Sequence, residues 1–370
     1  MLVFATPRHE SPMKIGIIGL PRSGKTTLLG ALTGATCEDQ GYAREANRAT
    51  IPVPEPRLDR LYEIFQPKKK TPASIDFVDL PGLETSKPGE KSTAPQVLAQ
   101  VRQVDCLLLV LRAFEKDADP HPSGSIDPLR DLDTLRNELV FADLEIVSNR
   151  LERIAAQVKK PVPDRDELLA EQESLLRVQQ ILEEGGHLRD LEFPPQIEKR
   201  LKSYGLLRRK PEVLVINLGE SEISDAPTHE TDDSEGAPRI ALSAEAEKEI
   251  QSLDEEDRDL FMEEYGLTGL TTPRIIRASY GACGLISFFT GGGPDEVRAW
   301  TLPLGALAPQ AGGAIHSDLE RGFIRAEVVH YDDLDRCGDI KSAKAEGVWR
   351  LEGKEYSVAD GDVMTIRFST

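Results

Sequence analysis

The sequence predicts an α/β fold: a mostly parallel sheet covered on both faces, a helical hairpin inserted into it, and a smaller mixed domain after it. Three observations carry this. Gly19 to Thr26 read G-x-x-x-x-G-K-T between a strand-like run and a helix-like one. Short apolar runs alternate with helical segments, and the texture turns to short β-type runs after Ile286.

The first apolar run, Lys14 to Gly19, leads straight into the glycine loop. Ser74 to Leu80 and Asp105 to Arg112 are the next strands, and Glu212 to Asn217 and Arg239 to Ser243 return after a long interruption. Strands buried on both faces are apolar throughout, as Cys106 to Leu111 are. That run is too short to cross a bilayer. The interruption holds two leucine- and glutamate-rich segments, Leu129 to Lys160 and Asp164 to Glu184, parted by Pro161-Val-Pro163. Helical spacing on either side of a proline break predicts an antiparallel hairpin, with its charges on a solvated face and the role of a spacer or docking arm.

Helices follow at Asp254 to Gly266 and Thr272 to Ala282. Beyond Ile286, strands are expected at Glu296 to Thr301, Gly322 to Val329, Val348 to Leu351 and Val363 to Phe368, with a turn at Gly291-Gly-Gly-Pro294 and one helix near Asp318. The expected boundaries are a poorly ordered extension at 1–12, a nucleotide-binding domain at 13–128 and 205–285, inserted helices at 129–204, and a last domain at 286–370.

The formal charge of −19 excludes indiscriminate adhesion to nucleic acid or anionic membrane, so any RNA contact must be local. The four cysteines, Cys37, Cys106, Cys283 and Cys337, form no C-x-x-C pair and point to a reduced, cytoplasmic setting. The first twelve residues have too little apolar length for a signal peptide.

The chemistry begins at the glycine loop. Gly19 and Gly24 permit a tight turn that gathers backbone N–H groups on one anion, and the next helix adds its positive end. A bare glycine-rich turn is the alternative; the complete spacing between strand and helix favours phosphate. Arg22, Ser23, Gly24, Lys25, Thr26 and Thr27 are the expected nucleotide-binding residues, with Lys25 on the β- and γ-phosphates and Thr26 on Mg²⁺. "IDFVDLPGL" supplies the second element. Its D-x-x-G spacing places the Asp79 carboxylate near Mg²⁺ and the Gly82 N–H near the γ-phosphate, so Lys25 and Gly82 are the expected catalytic groups and Thr26 and Asp79 the metal ligands. Leu83 follows, where many switch-type hydrolases carry a glutamine that orients water. Leucine cannot hydrogen-bond, so slow intrinsic turnover is expected.

Asn217-Leu218-Gly219-Glu220 ends the fourth strand, and Ser243-Ala244-Glu245 ends the fifth. These loops are expected to hold the base through Asn217, Leu218, Glu220, Ser243, Ala244 and Glu245. A guanine reader needs a short carboxylate held against two N–H donors. Glu220 is a methylene longer and Leu218 is apolar, so adenine is the expected base.

The order of these motifs, with "IPVPEPRLDRL", "DPLRDLDTLRNELVFADLE" and "FFTGGGPDEVRAWTLPLGALAPQAGGAIHSDLERGFIRAEVV", resembles the YchF-type, or Obg-like ATPase, family from about Met13 to the carboxyl terminus. The resemblance implies a P-loop NTPase domain of Obg type, an inserted coiled coil and a carboxyl-terminal TGS domain of β-grasp type. It also implies ATP preferred over GTP, Mg²⁺, and a ribosome or RNA partner; a monomer without membrane attachment is expected. Two features depart from the family pattern. Pro21-Arg22-Ser23-Gly24 stands where Pro-Asn-Val-Gly is usual, putting a positive side chain beside the phosphates. The stretch between Gly34 and Ile51 is short and lacks the usual Pro-Phe-x-Thr, leaving Thr36 and Thr50 as poor substitutes for a metal-binding threonine.

Three functions compete at this point. The first is a hydrolysing switch on MgATP, or less readily MgGTP. The second is a nucleotide-sensing module with negligible hydrolysis, which Leu83 and the short first switch favour. The third, a small-molecule phosphotransferase, is opposed by the D-x-x-G and N-x-x-E elements and the absence of an arginine-rich lid. His316 and His330 read as surface or packed residues rather than ligands.

Overall fold

The computed structural model describes residues 13–39, 44–45, 47–84, 94–116, 120–161, 163–225 and 231–369. The expected extension at 1–12 lies outside them, as do the side chains of Thr36 and Cys37. In chain order the first half contains β1 (Lys14–Ile18), α1 (Lys25–Asp39), β2 (Arg44–Glu45), β3 (Arg48–Pro52), α2 (Pro56–Phe65), β4 (Lys69–Thr71), β5 (Ser74–Asp79), α3 (Ala94–Val101) and β6 (Cys106–Ala113). Three helices follow, α4 (Pro128–Gln157), α5 (Arg165–Glu183) and α6 (Pro195–Tyr204). Then come β7 (Glu212–Leu218), β8 (Thr231–Asp232), β9 (Pro238–Leu242), α7 (Ala244–Ser252), α8 (Glu255–Glu264) and α9 (Thr272–Ala282).

Eight strands form one sheet in the order β2-β3-β5-β1-β6-β7-β9-β8. β1, β6, β7 and β9 run parallel, and β8 is an antiparallel edge. The mostly parallel α/β sheet is therefore as expected. β1 is central, with later strands added on both sides of it, and the crevice at such a reversal is where open α/β sheets bind ligands, outside the carboxyl ends of the strands.

α4 and α5 pack as the expected hairpin. Val140, Val147 and Ile154 recur at a seven-residue interval along α4 and meet Leu175, Val178 and Leu182 of α5 in one buried cluster. Glu171 locks the pair. Its carboxylate accepts from Arg150 at 2.6 Å, from Arg200 of α6 at 2.6 Å and from the Tyr204 hydroxyl. Burial alone would raise the Glu171 pKa, but these hydrogen bonds outweigh it and hold the group at about 2. At the foot of the hairpin, buried Asp143 on α4 accepts from the backbone N–H groups of Leu207 and Arg208 at 2.9 and 2.8 Å. Beside it, Arg136 and Arg208 both pair with Glu212, the first residue of β7, at 2.8 and 2.6 Å. Every charge in that buried group has a partner, which is the condition for burying it at all.

The chain divides into two compact units, and the division differs from the expected boundaries. Thr50–Asp76 belongs with Ile276–Thr370; Met13–Ala49 and Phe77–Ile275 form the nucleotide-loop unit. The cause is local pairing. The carboxyl-terminal strands are β10 (Leu285–Thr290), β11 (Glu296–Pro303), β12 (Phe323–His330), β13 (Arg350–Glu352) and β14 (Asp362–Phe368), and β4 joins them as the outer strand beside β11. Phe65 of α2 lies so close to Gly291 that a Cβ there would meet its ring at 2.6 Å. Arg57, also on α2, pairs with Asp360 at 2.7 Å and lies over the Phe289 ring.

Beyond Ile286 one helix was expected, near Asp318, and the described residues there form four: α10 (Ala308–Ile315), α11 (Ser317–Arg321), α12 (Tyr331–Cys337) and α13 (Ile340–Ala345). α10 reads as a loop because of Gly312 and Gly313. They are there for close packing, since a Cβ on Gly312 would approach the Leu319 carbonyl to 3.2 Å. His316 and His330 each accept a backbone N–H at the start of a helix, from Asp318 at 3.1 Å and Asp332 at 3.4 Å.

Candidate functional site

The glycines of the loop are dictated by what lies against them. A Cβ on Gly19 would stand 2.5 Å from the Val110 carbonyl oxygen of β6; Gly24 has φ of +92°, and a Cβ there would lie 2.1 Å from the Asn217 amide nitrogen. The loop must be bare at both places. Lys25, only 8% exposed, arches back so that its Nζ donates to the Leu20 carbonyl at 2.9 Å and the Gly19 carbonyl at 3.4 Å. Burial lowers its pKa, and the nearby Asp79 carboxylate opposes that shift. An ammonium held on two neutral carbonyls, with its charge uncompensated by direct contact, is suited to an incoming anion.

Thr26 Oγ1 donates to Asp79 Oδ2 at 2.6 Å. The other carboxylate oxygen, Oδ1, is buried and has no hydrogen-bond partner. A buried orphan oxygen beside a threonine hydroxyl fits a small hard cation, and Mg²⁺ is commonly held by one or two carboxylates with substrate phosphates completing its shell. Among the described residues no group of three or more His, Cys, Asp or Glu side chains could hold a metal by itself. The D-x-x-G turn is sewn to the phosphate loop: the Leu83 N–H donates to the Gly19 carbonyl at 3.1 Å, and a Cβ on Gly82 would strike Pro21 N at 2.8 Å. Leu83 itself is 1% exposed and packs with Leu20, Leu80 and Val97. Its side chain is part of the core.

At the base end, Asn217 is 4% exposed and both ends of its amide are used inside the protein. Nδ2 donates to the Ser23 carbonyl at 3.0 Å, and Oδ1 accepts from the Ala244 N–H at 3.0 Å. Glu220 is exposed. Ser243 caps α7 by accepting from the Ala246 N–H, and Glu245 lies 3.7 Å from the Lys116 ammonium.

A cavity of about 860 Å³ brings these parts together. Of the residues expected at the site, Arg22, Gly24, Lys25, Thr26, Thr27, Asn217, Leu218, Glu220, Ser243 and Glu245 line it. Ser23 and Ala244 do not. Both are buried behind it and act on it through Asn217. Asp79 and Gly82 also stand behind the lining, one joined to Thr26 and the other pressed on Pro21.

Residues 14–147 match a family model described as 50S ribosome-binding GTPase, and residues 285–369 match the model YchF-GTPase_C, described as a protein of unknown function (DUF933). The chain is 39% identical to "Ribosome-binding ATPase YchF" of Bacillus subtilis (strain 168), over 96% of this chain and 98% of that protein. It belongs to the YchF family. It is also 34% identical to "Obg-like ATPase 1" of Rattus norvegicus, over 98% of this chain and 94% of that one. The solved structure of the Schizosaccharomyces pombe YchF GTPase superposes with a TM-score of 0.84 at 30% identity, covering 98% of this chain and 99% of the other. The names of these relatives divide between ATPase and GTPase.

Sequence reasoning missed part of this YchF-family site. Phe114, Glu115 and Lys116 line the cavity directly after β6, and Gly219, Ser221 and Glu222 line it after β7. Glu222 Oε2 accepts from the Gly219 N–H at 3.1 Å and so closes the loop that carries Glu220. The Arg112 guanidinium stacks on the Phe114 ring at 4.5 Å while its Nε donates to the Phe114 carbonyl, fixing an aromatic wall. One signal was available: Phe114 follows an apolar parallel strand, and the residues just beyond such strands line the ligand crevice.

Proposed function

We propose that this chain binds a Mg²⁺–nucleoside triphosphate, ATP in preference to GTP, hydrolyses it slowly, and works as a nucleotide-dependent switch with a ribosomal or RNA partner. The observation that carries the reading is the buried, unpartnered Asp79 Oδ1 beside the Thr26 hydroxyl, in a glycine loop whose lysine rests on neutral carbonyls. Thr26 and Asp79 would hold the ion, which supplies charge neutralisation at the phosphate oxygens when bound. Lys25 takes the β- and γ-phosphates, and the N–H of Gly82, a residue packed closely on Pro21, reads whether the γ-phosphate is present. Loss of that phosphate frees the D-x-x-G turn.

Slow turnover is supported by Leu83, whose side chain is in the core and cannot orient water. Adenine is supported by Leu218 and Glu220 at the cavity and by the apolar wall of Phe114. The ribosomal partner rests on the names of the relatives, with residues 286–370 as a TGS domain and the α4–α5 hairpin as a docking arm. Cys106, Cys283 and Cys337 are in no disulfide, which suits a reduced, cytoplasmic setting, and among the described residues no helix is long and apolar enough to cross a membrane.

A sensing module with negligible hydrolysis is the second reading. Buried Leu83 favours it, and so does Thr50, whose hydroxyl is occupied by Asp76 at 2.6 Å. Single-turnover hydrolysis of ATP with and without ribosomes separates the two. The switch reading expects slow cleavage accelerated by ribosomes; binding with no cleavage under either condition supports the sensor.

A further inference from the structure

Only two non-glycine residues among those described have positive φ, Arg22 at +66° and Gln66 at +48°. Gln66 is unremarkable, since it caps the end of α2, where a left-handed residue is an ordinary way to finish a helix. Arg22 ends no helix. It sits in the middle of the phosphate loop, in a conformation that glycine or asparagine adopts easily and a long side chain does not. Strain kept at a ligand loop calls for a reason in the ligand.

Its position supplies one. Arg22 directly follows Pro21, the residue against which Gly82 of the D-x-x-G turn is pressed, so its backbone lies at the γ-phosphate end of the loop. Its side chain is exposed and lines the same cavity as Lys25 and Thr26. Among its contacts, Arg22 Nη1 donates to the Pro120 carbonyl at 3.3 Å, and a guanidinium at this place can donate charge-assisted hydrogen bonds to phosphate oxygens. The Leu83 side chain is in the core, so it brings no polar group to the charge that develops during transfer.

We propose that Arg22 is a catalytic residue, an arginine supplied in cis that stabilises the transferring phosphoryl group. In the step it serves, the water oxygen bonds to the γ-phosphorus while the bond to the β–γ bridging oxygen breaks. The electron pair leaves on the bridging oxygen of the diphosphate; one water proton stays on inorganic phosphate and the other passes to solvent. Arg22 neutralises charge spread over the equatorial and bridging oxygens in that transition state. The proposal rests on the nucleotide-hydrolase reading above and adds the group that performs the electrostatic work.

The test compares full-length wild type with Arg22→Asn and Arg22→Lys. Asparagine suits positive φ, so Arg22→Asn should melt at or above the wild-type temperature and still saturate with MgADP. Its single-turnover rate with saturating MgATP should nevertheless fall by at least about tenfold, because an arginine finger contributes a factor of this size or larger. Affinity for MgADP with aluminium fluoride, which mimics the transferring group, should fall in step, and Arg22→Lys should recover part of both. If Arg22→Asn cleaves ATP and binds the fluoride complex like wild type, the role of Arg22 is overturned and the hydrolase reading stands. Wild type that binds neither ATP nor GTP would overturn both.

Discussion

Asn217 donates to the Ser23 carbonyl at 3.0 Å, joining the carboxyl end of β7 to the phosphate loop. The oxygen of the same amide accepts from Ala244 at the start of α7, so one side chain fixes the phosphate and base ends of the cavity relative to each other. Asn217→Ala should leave the buried Ala244 N–H unpaired, at a cost of about 1–3 kcal/mol. Nucleotide affinity should fall by roughly ten- to a hundredfold by calorimetric titration, with the fold retained.

Gly82→Ala tests the contact between the switch turn and the loop. The new methyl would meet Pro21 backbone at 2.8 to 2.9 Å, which cannot yield as a flexible side chain could. The turn must move away. If this turn reads the γ-phosphate as proposed, affinity for a nonhydrolysable triphosphate should drop at least about tenfold while that for the diphosphate changes little.

Lys25→Ala should weaken nucleotide binding or abolish hydrolysis without unfolding the chain. A pH series sharpens the test. Burial lowers the Lys25 pKa in the free protein, with Asp79 opposing, and bound phosphates would raise it again. The ligand therefore favours the protonated form, so ATP affinity should fall as the pH rises through the lowered free-state pKa. The alanine variant should lack that alkaline limb.

For the hairpin, Glu171 sets the expectation. Its folded pKa of about 2 lies below the ordinary 4.5, so its stabilising contribution is complete above 4.5 and is lost as the pH falls through about 2. Hydrogen exchange of α4 and α5 in the intact chain should show protection at pH 7 that declines across this window. Glu171→Gln should cost about 2–3 kcal/mol at neutral pH, somewhat less than a fully buried pair, because Arg150 and Arg200 keep partial contact with water.

Much of the site was legible because its signals are local. The glycine loop, Asp79 with Gly82, and Asn217 each announce themselves within a few residues and at the end of an apolar strand. What escaped was carried by distant partners. Lys69–Thr71 has no apolar alternation, and it is a strand because Glu296–Arg298 of β11 supply its hydrogen bonds. Gly312 and Gly313 read as a loop until Leu319 and Glu320 lie against them. Phe114 has no motif at all; its role comes from the Arg112 guanidinium stacked on it and from the strand end it occupies.

Titrating MgATP and MgGTP side by side into the purified chain decides the nucleotide assignment. Glu220 and Leu218 line the cavity where a guanine reader would need a short carboxylate and a lysine, and a misplaced buried hydrogen bond costs on the order of 1–3 kcal/mol, enough to alter base choice by roughly ten- to a hundredfold. ATP should bind more tightly than GTP, and Glu220→Asp with Leu218→Lys should narrow or reverse the difference. Tighter binding of GTP by the wild-type chain would contradict the adenine assignment, and binding of neither would contradict the nucleotide site itself.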